Sequence, residues 1–197
     1  MFDSHDACLI DCRDRLIRAP RDRKSPLHTP VIVTADVDAR VMVLRAFDAA
    51  EWTLRLHTDS RAPKAAAIGA DPRIAVLFYD KGAKIQIRAR GTGAILRDGA
   101  EVDAAWQAST RFARRCYLGE GPGALSDTPT SGLPPEFEGA EPDEAQLVPA
   151  RENFALLKIT LTALDWLYLA HTGHVRAQFS RMQEAGEVRW EGRWVSP

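Results

Sequence analysis

The sequence predicts a mainly β protein, an antiparallel β-barrel with inserted helices. About eight runs of strand length follow one another in short, sequential order. Several of these runs alternate apolar and polar residues, which is the pattern of half-buried antiparallel strands. Two helical segments interrupt the strands without alternating regularly with them. This arrangement favours a barrel over a doubly wound parallel sheet.

Composition predicts a globular chain with its own core. Of the 197 residues, 45% are hydrophobic and 27% are charged. The 26 basic residues nearly balance the 27 acidic ones, so net charge gives no reason to expect a nucleic-acid or membrane partner. Three cysteines without a repeating spacing argue against a disulfide framework. Because the N-terminal residues also lack the apolar run of a signal peptide, a cytoplasmic location is expected.

The chain is expected to begin with a helix and a basic linker over residues 1–26, followed by the barrel domain over residues 27–197. Residues 13–24 carry six basic side chains against two acidic ones, and we interpret them as a solvated arm rather than a nucleic-acid site. His5, Cys8 and Cys12 share a helix face. They lack a fourth ligand, so the two thiols are interpreted as core packing and no metal is predicted.

The expected elements follow from periodicity and turn residues. Helices are predicted at 5–18, 62–70 and 99–117, and strands at 29–35, 39–46, 51–58, 73–80, 83–97, 154–171, 174–180 and 187–195. Gly91 and Gly93 fall within a strand and indicate a bend, a bulge or a close backbone approach to a ligand. Residues 119–152, here called the acidic loop, are rich in Pro and Gly. They are interpreted as a mobile surface loop or a covering over a site or a partner subunit.

Cationic and polar residues cluster between residues 40 and 90. Arg40 and Arg45 are predicted to point to opposite faces of one strand, because their spacing is odd. Residues 57–64 end a strand and enter a helix, where backbone N–H groups and basic side chains suit a phosphate. Gln86 can donate to and accept from the edge of a flat heterocycle. A phosphorylated ligand such as FMN fits this set, and charged surface without a site is the alternative.

The order of these motifs resembles the pyridoxamine 5′-phosphate oxidase-like family of FMN-binding split β-barrels. The motifs are R-x-V-x-L-R at 40–45, HTD-x-R-x-x-K at 57–64, D-P at 71–72 and Q-x-R-x-x-G at 86–91. Trp106 with Ser109, Pro122-Gly123 and the segments 152–159, 165–167 and 174–177 are similar to further parts of the family. The resemblance covers roughly residues 27–180 and implies an antiparallel split barrel of Greek-key type, FMN as cofactor and a homodimer with FMN at the subunit interface.

The resemblance also implies a set of site residues. Arg40, Thr58 and Lys64 would hold the phosphate, with Arg61 assisting, and Gln86 would face the isoalloxazine ring. Arg45, Arg176 and His174 are candidates for orienting a substrate. The full set of implied FMN contacts is Arg40, Val41, Met42, Leu44, Arg45, Thr58, Asp59, Arg61, Lys64, Gln86, Leu167 and Arg176.

The implied activity is that of an FMN-dependent oxidoreductase. A small substrate, oriented by Arg45 or Arg176 if it is anionic, would transfer a hydride to flavin N5. This chain has Ala62-Pro63-Lys64 where the oxidases carry Ser-Arg-Lys, and His174-Val175-Arg176 where they carry Arg-x-His. These departures leave the substrate open. The alternative is a non-catalytic FMN-binding protein that acts as a sensor or store.

Overall fold

The computed structural model describes residues 2–184 and 187–197, except for the side chain of residue 184. The helices are α1 (His5–Arg18), α2 (Pro63–Ala70), α3 (Ala100–Ala108) and α4 (Arg111–Arg114). The strands are β1 (Val31–Thr34), β2 (Ala39–Val41), β3 (Leu44–Asp48), β4 (Thr53–Asp59), β5 (Arg73–Asp80), β6 (Ile85–Leu96), β7 (Phe154–Tyr168), β8 (Val175–Glu184) and β9 (Glu187–Trp194). No helix in this part of the chain is long and apolar enough to cross a membrane.

The strands form one sheet in the order β2-β1-β5-β6-β7-β4-β3, with β8 paired to β7 and β9 paired to β8. The described strand pairings are antiparallel. The prediction of a mainly β, antiparallel fold is therefore confirmed. The chain divides into two compact units, the first made of Met1–Leu56, Asp71–Gly93 and Lys158–Pro197, the second of His57–Ala70 and Ala94–Leu157.

In the first unit, α1 packs against β3 and β9 through an apolar face. Cys8, Cys12 and Leu16 recur at helical spacing and are fully buried. Trp166 of β7 donates from its indole N–H to Asp11 at 2.8 Å, which fixes the helix to the sheet. Burial, with the nearby charge of Asp11, raises the pKa of the Cys8 thiol to about 11, so it stays protonated and packs as an apolar group.

In the second unit, α3 ends earlier than periodicity predicts. The expected helix over 99–117 breaks at Ser109, whose backbone is extended and whose hydroxyl donates to the Ala105 carbonyl at 2.8 Å. Thr110 then starts α4 by accepting from the N–H of Ala113 at 3.2 Å. Hydroxyl side chains offer the backbone partners outside the helix, which is why the Ser-Thr pair divides the segment in two.

The acidic loop is fixed to α4 and the turn after it by arginines. Arg114 pairs with Glu144 through two bonds of 2.9 and 2.6 Å, and its guanidinium lies 5.1 Å from the centre of the Trp106 ring. Arg115 donates to two backbone carbonyls of the same loop. The loop therefore packs on its own unit through charge-assisted bonds.

The predicted strand over 39–46 is wrong as a single element. It forms two strands, since residues 42 and 43 belong to neither strand, although the Met42 N–H still donates to the Pro30 carbonyl at 3.0 Å in register with the pairing of Val31 and Val41. β2 pairs with β1 and β3 pairs with β4. Arg40 and Arg45 therefore lie on different strands, and the argument from their odd spacing along one strand does not apply.

Gly91 marks a close approach of two backbone segments of the chain itself. A Cβ atom at this position would lie 2.1 Å from the carbonyl oxygen of Thr160 on β7. Gly93, two residues further along β6, donates to the Pro72 carbonyl at 2.8 Å. The mid-strand glycine thus allows β7 to pass against β6, which is one of the local reasons for glycine within a strand.

Candidate functional site

The predicted site residues lie in both units. The first unit carries Arg40, Val41, Met42, Leu44, Arg45, Gln86, Leu167, His174 and Arg176. The second unit carries Thr58, Asp59, Arg61 and Lys64, all at the turn from β4 into α2.

The β4–α2 turn is organised by one carboxylate. Asp59 accepts from the backbone N–H of Arg61 at 2.8 Å and pairs with its guanidinium at 3.0 and 2.7 Å. This hydrogen bonding raises the pKa of Arg61, so its positive charge is permanent. The carbonyl of Asp59 also accepts from the N–H of Ala62 at 3.2 Å. The turn that the Asp59 side chain closes sets the direction in which the backbone enters α2.

This turn carries two cationic side chains, Arg61 and Lys64, of the kind that bind a phosphate monoester. The Arg61 guanidinium donates to the Gly119 carbonyl at 3.0 Å, which fixes its position. Thr58 is buried, and Lys64 is half-buried in the first turn of α2. The Thr58 hydroxyl donates to the Asp59 carbonyl at 3.3 Å, and the N–H groups of residues 60–62 donate to partners within the chain. The two cations, against one carboxylate, fit the phosphate of FMN in charge.

On β2, Arg40 is engaged in the turn that precedes it. Its guanidinium donates to the Thr34 hydroxyl at 2.9 Å and pairs with Asp38. Because a guanidinium carries five N–H donors, these contacts leave others for a ligand. Val41 is exposed, whereas Met42 is buried.

Leu44 and Arg45 begin β3 with opposite exposures, Leu44 buried and Arg45 exposed. The side chain of Arg45 makes no hydrogen bond or ion pair with any other described residue, so its charge is available to an anion. Gln86 is half-buried on β6 between the buried Ile85 and Ile87.

Leu167 and Arg176 are brought together as cross-strand partners on β7 and β8. Arg176 forms a two-bond pair with Asp165 at 3.0 and 2.7 Å. Arg88 and Gln178 reach the same carboxylate at 2.6 and 2.8 Å. Burial opposes ionisation of Asp165, but these hydrogen bonds and the two positive charges outweigh it and hold its pKa below the ordinary value.

This Asp165 cluster lines a pocket of about 300 Å³ in the first unit. A second, more open groove of about 570 Å³ shares Ala75, Arg90 and Ala163 with it. His174 lies in the exposed segment before β8 and is not among the lining residues. Within the described chain, no group of three or more His, Cys, Asp or Glu residues is placed to hold a metal ion.

Sequence reasoning missed most of this cluster. Arg88 could have been found, because it alternates with buried residues on the same strand as Gln86 and so shares its face. Asp165, Gln178 and Arg193 meet only because Asp165 is paired with Gln178, and Gln178 with Arg193, across three strands. The residues themselves do not reveal that register.

Replacing Asp165 with Asn tests the electrostatic role of the cluster. Because the folded-state pKa of Asp165 is lowered, its stabilising contribution is present above about pH 4, the unfolded value, and is lost as the pH falls through the folded pKa. We expect Asp165→Asn to reduce the free energy of unfolding by about 1 kcal/mol at pH 7. The difference in the free energy of unfolding between the variant and the unmodified protein should become smaller at acid pH. Urea unfolding across pH measures it, with Asp14→Asn on the exposed side of α1 as the control.

Solved structures with the same fold identify the class of architecture. A pyridoxamine 5′-phosphate oxidase-related, FMN-binding protein of Nostoc punctiforme superposes with a TM-score of 0.66 at 22% identity, covering 100% of this chain and 97% of that one. PhzG of Burkholderia lata, solved with tetrahydrophenazine-1-carboxylic acid, gives 0.69 at 14% identity, with 96% and 92% covered. A general stress protein 26-related protein of Clostridium acetobutylicum gives 0.54 at 12%, with 88% and 95% covered. The fold is therefore the split barrel of pyridoxamine 5′-phosphate oxidase-like proteins, as predicted.

The sequence match points to the same family. Residues 21–97 match the model of the pyridoxamine 5′-phosphate oxidase, FMN-binding domain. No curated protein matches the chain. The resemblance to the pyridoxamine 5′-phosphate oxidase-like family is thus confirmed, and the matched segment carries an FMN-binding domain pattern.

Proposed function

We propose that this protein binds FMN and acts as a cytoplasmic, homodimeric FMN-dependent oxidoreductase on a small substrate. One observation carries the proposal. The segment that matches the FMN-binding domain model, residues 21–97, contains β2, β3, the β4–α2 turn and Gln86. The two cations at that turn suit a phosphate, and the family model is that of an oxidase.

In this proposal the chain's own residues position the cofactor and the substrate. Thr58, Arg61 and Lys64 hold the phosphate. In the first unit, Arg40 and Gln86 are the residues proposed to contact FMN, Arg40 through the phosphate and Gln86 through the edge of the ring. When bound, FMN supplies a ring that accepts a hydride and passes the electrons on. Arg45 is the strongest candidate for orienting an anionic substrate, since the guanidinium of Arg176 is already paired with Asp165.

A second copy of the chain is supported by an exposed apolar row. Val41 pairs with Val31, and Val31 pairs on its other side with Leu77, so the three side chains line up across β2, β1 and β5. Val41 and Leu77 are exposed. Burying this row in a homodimer would remove apolar surface from water. The free Cys8, Cys12 and Cys116 suit a reducing compartment.

The visible spectrum of the purified protein tests the proposal. We expect a yellow protein, or one that turns yellow with added FMN and keeps about one flavin per chain through desalting. Turnover is then measured with pyridoxamine phosphate, pyridoxine phosphate and reduced nicotinamides as donors. A colourless protein that takes up no FMN would refute the proposal.

The pairing of Arg176 with Asp165 also favours a second candidate, a flavin-binding protein without catalysis. Its guanidinium is committed to Asp165 and to the carbonyl of Ser196 at 3.2 Å, and its pKa is raised by the bond to Asp165. An FMN-loaded protein that turns over none of the donors would support this candidate.

Replacing Arg40 with Ala should weaken FMN binding by roughly 1.5–3 kcal/mol, the scale of a charge-assisted hydrogen bond. Because Arg40 also bonds Thr34 and Asp38, the unfolding temperature is measured in parallel to separate turn stability from ligand contact. Arg23→Ala, on the exposed arm before β1, is the control. Equal FMN affinity of the Arg40→Ala and Arg23→Ala variants would show that Arg40 does not contact the phosphate.

A further inference from the structure

The start of the acidic loop lies against Arg61, within the second unit. The Gly119 carbonyl accepts from Nη2 of this arginine at 3.0 Å. A Cβ atom at Gly121 would lie 3.5 Å from the Cβ of Arg61 and 3.8 Å from both its Cδ and its Nε. A Cβ atom at Gly123 would lie 3.5 Å from the Cγ of Pro63. Residues 119–123 therefore follow the β4–α2 turn, and the missing side chain at position 121 leaves room for the arginine.

Contacts inside the acidic loop fix the position of Gly119. A Cβ atom at this residue would lie 2.6 Å from the carbonyl oxygen of Gly132, so two backbone segments of the loop cross closely here. The N–H of Glu120 donates to the same carbonyl at 2.8 Å. The side-chain amide of Asn153 donates to the Tyr117 carbonyl at 2.9 Å and so joins the two ends of the loop. The carbonyl that accepts from the guanidinium is thus held in place by the loop itself.

The far end of the acidic loop reaches the same turn. The N–H of Ser60 donates to the Asn153 carbonyl at 2.8 Å, and the Ser60 hydroxyl donates to the Glu152 carbonyl at 3.4 Å. The hydrogen bonds to Asp59 raise the pKa of Arg61, and the negative charge of Glu152 adds to this effect. Both ends of the loop therefore meet at the residue that carries the permanent positive charge.

Arg61 keeps one donor group for a ligand, and its direction is set. Nε and Nη2 donate to the Asp59 carboxylate at 3.0 and 2.7 Å, and Nη2 is shared with Gly119. None of the hydrogen bonds among the described residues uses Nη1, and 34% of the side-chain surface is exposed. Because the guanidinium is planar, fixing Nε and Nη2 also fixes where Nη1 points. A cation held in this way loses little side-chain freedom when an anion binds.

We propose that Gly119 and Gly121 of the acidic loop are positioning residues, which hold Arg61 so that its Nη1 group is available to a phosphate monoester. Gly119 acts through its carbonyl, and Gly121 acts by leaving the space that the arginine occupies. The inference rests on the proposed function, in which FMN supplies the phosphate. A disturbance at the start of the loop should therefore change the affinity for the phosphate end of the ligand and leave the affinity for its ring unchanged.

Gly121→Val in the full chain tests the assignment. The backbone at Gly121 lies outside the left-handed region that favours glycine, so valine is compatible with the backbone there. Its methyl groups would extend from the 3.5 Å contact into the space of Arg61 and displace the guanidinium. In fluorescence titrations we expect FMN affinity to fall about tenfold, the effect of losing a charge-assisted hydrogen bond, and riboflavin affinity to stay unchanged. Ala124→Val, which places valine at an exposed position of the same loop, is the matched control.

A double-mutant cycle shows whether Gly121 acts through Arg61. Arg61→Ala alone should weaken FMN binding about tenfold. Adding Gly121→Val to Arg61→Ala should cause no further loss, because the side chain that the valine displaces is then absent. Additive losses in the double variant, or an equal loss for FMN and riboflavin in Gly121→Val, would overturn the assignment. Unchanged FMN affinity in Gly121→Val would overturn it as well.

Inorganic phosphate keeps this inference distinguishable from the proposed function. If the unmodified protein takes up no FMN, the proposed function is refuted, and calorimetric titration with phosphate decides the role of the loop. Phosphate binding that Gly121→Val weakens about tenfold would then support the positioning role without a flavin. Phosphate binding that is absent, or equal in the two proteins, would overturn it. A protein that binds FMN equally well with and without Gly121→Val overturns the positioning role alone and leaves the proposed function standing.

Discussion

Lys64→Ala is expected to weaken FMN binding about tenfold to a hundredfold, which corresponds to roughly 1.5–3 kcal/mol. Lys64 lies in the first turn of α2, one residue after Pro63. At this position the ammonium group of Lys64 and the N-terminus of α2 both attract an anion. The substitution therefore removes a positive charge at a place where it adds to the attraction of the helix dipole. Fluorescence titration of FMN with the two proteins gives the ratio of dissociation constants.

Riboflavin separates a phosphate contact from a general loss of the site. It carries the same ring without the phosphate, so Lys64→Ala should leave riboflavin affinity unchanged. Lys81→Ala, in the exposed turn between β5 and β6, removes an equal charge away from the β4–α2 turn and should bind FMN as the unmodified protein does. An equal loss for FMN and riboflavin would mean that Lys64 supports the fold and does not touch the phosphate.

The elements that the sequence predicts to the residue are those with strong local signals. The helix over 5–18 is observed as α1, because Ser4 caps it and its apolar face recurs every three or four residues. The strand over 73–80 is observed as β5, whose residues alternate between exposed and buried from Arg73 to Tyr79. Local periodicity was sufficient for both.

The features that the sequence does not predict are those that depend on tertiary contacts. The break after Val41 comes from a change of partner strand, because β2 pairs with β1 and β3 pairs with β4, and nothing in the apolar run 41–44 indicates it. The β4–α2 turn was found because its residues are adjacent in sequence. The Asp165 cluster was not, because its partners come from β6, β8 and β9 and meet only through the strand register.

Gly91→Ala is expected to destabilise the protein by about 3 kcal/mol, which lowers the unfolding temperature by roughly 6–12 °C for a chain of this size. The added methyl group would lie 2.1 Å from the Thr160 carbonyl oxygen and 2.9 Å from its carbon. The obstacle is backbone, so a side-chain rotation cannot relieve it. Either β7 moves away from β6 or the ladder between β5 and β6, where Gly91 pairs with Ile74, is distorted.

Gly69→Ala is the matched control, because it makes the same chemical change where there is room. No atom lies within 4 Å of a Cβ built at this position in α2. Alanine is the better helix former, so this variant should be more stable by about 0.5–1 kcal/mol. Opposite signs for the two substitutions in thermal unfolding show that the cost at Gly91 comes from the contact with β7. A Gly91→Ala protein that unfolds at the original temperature would mean that the two strands do not pass this closely.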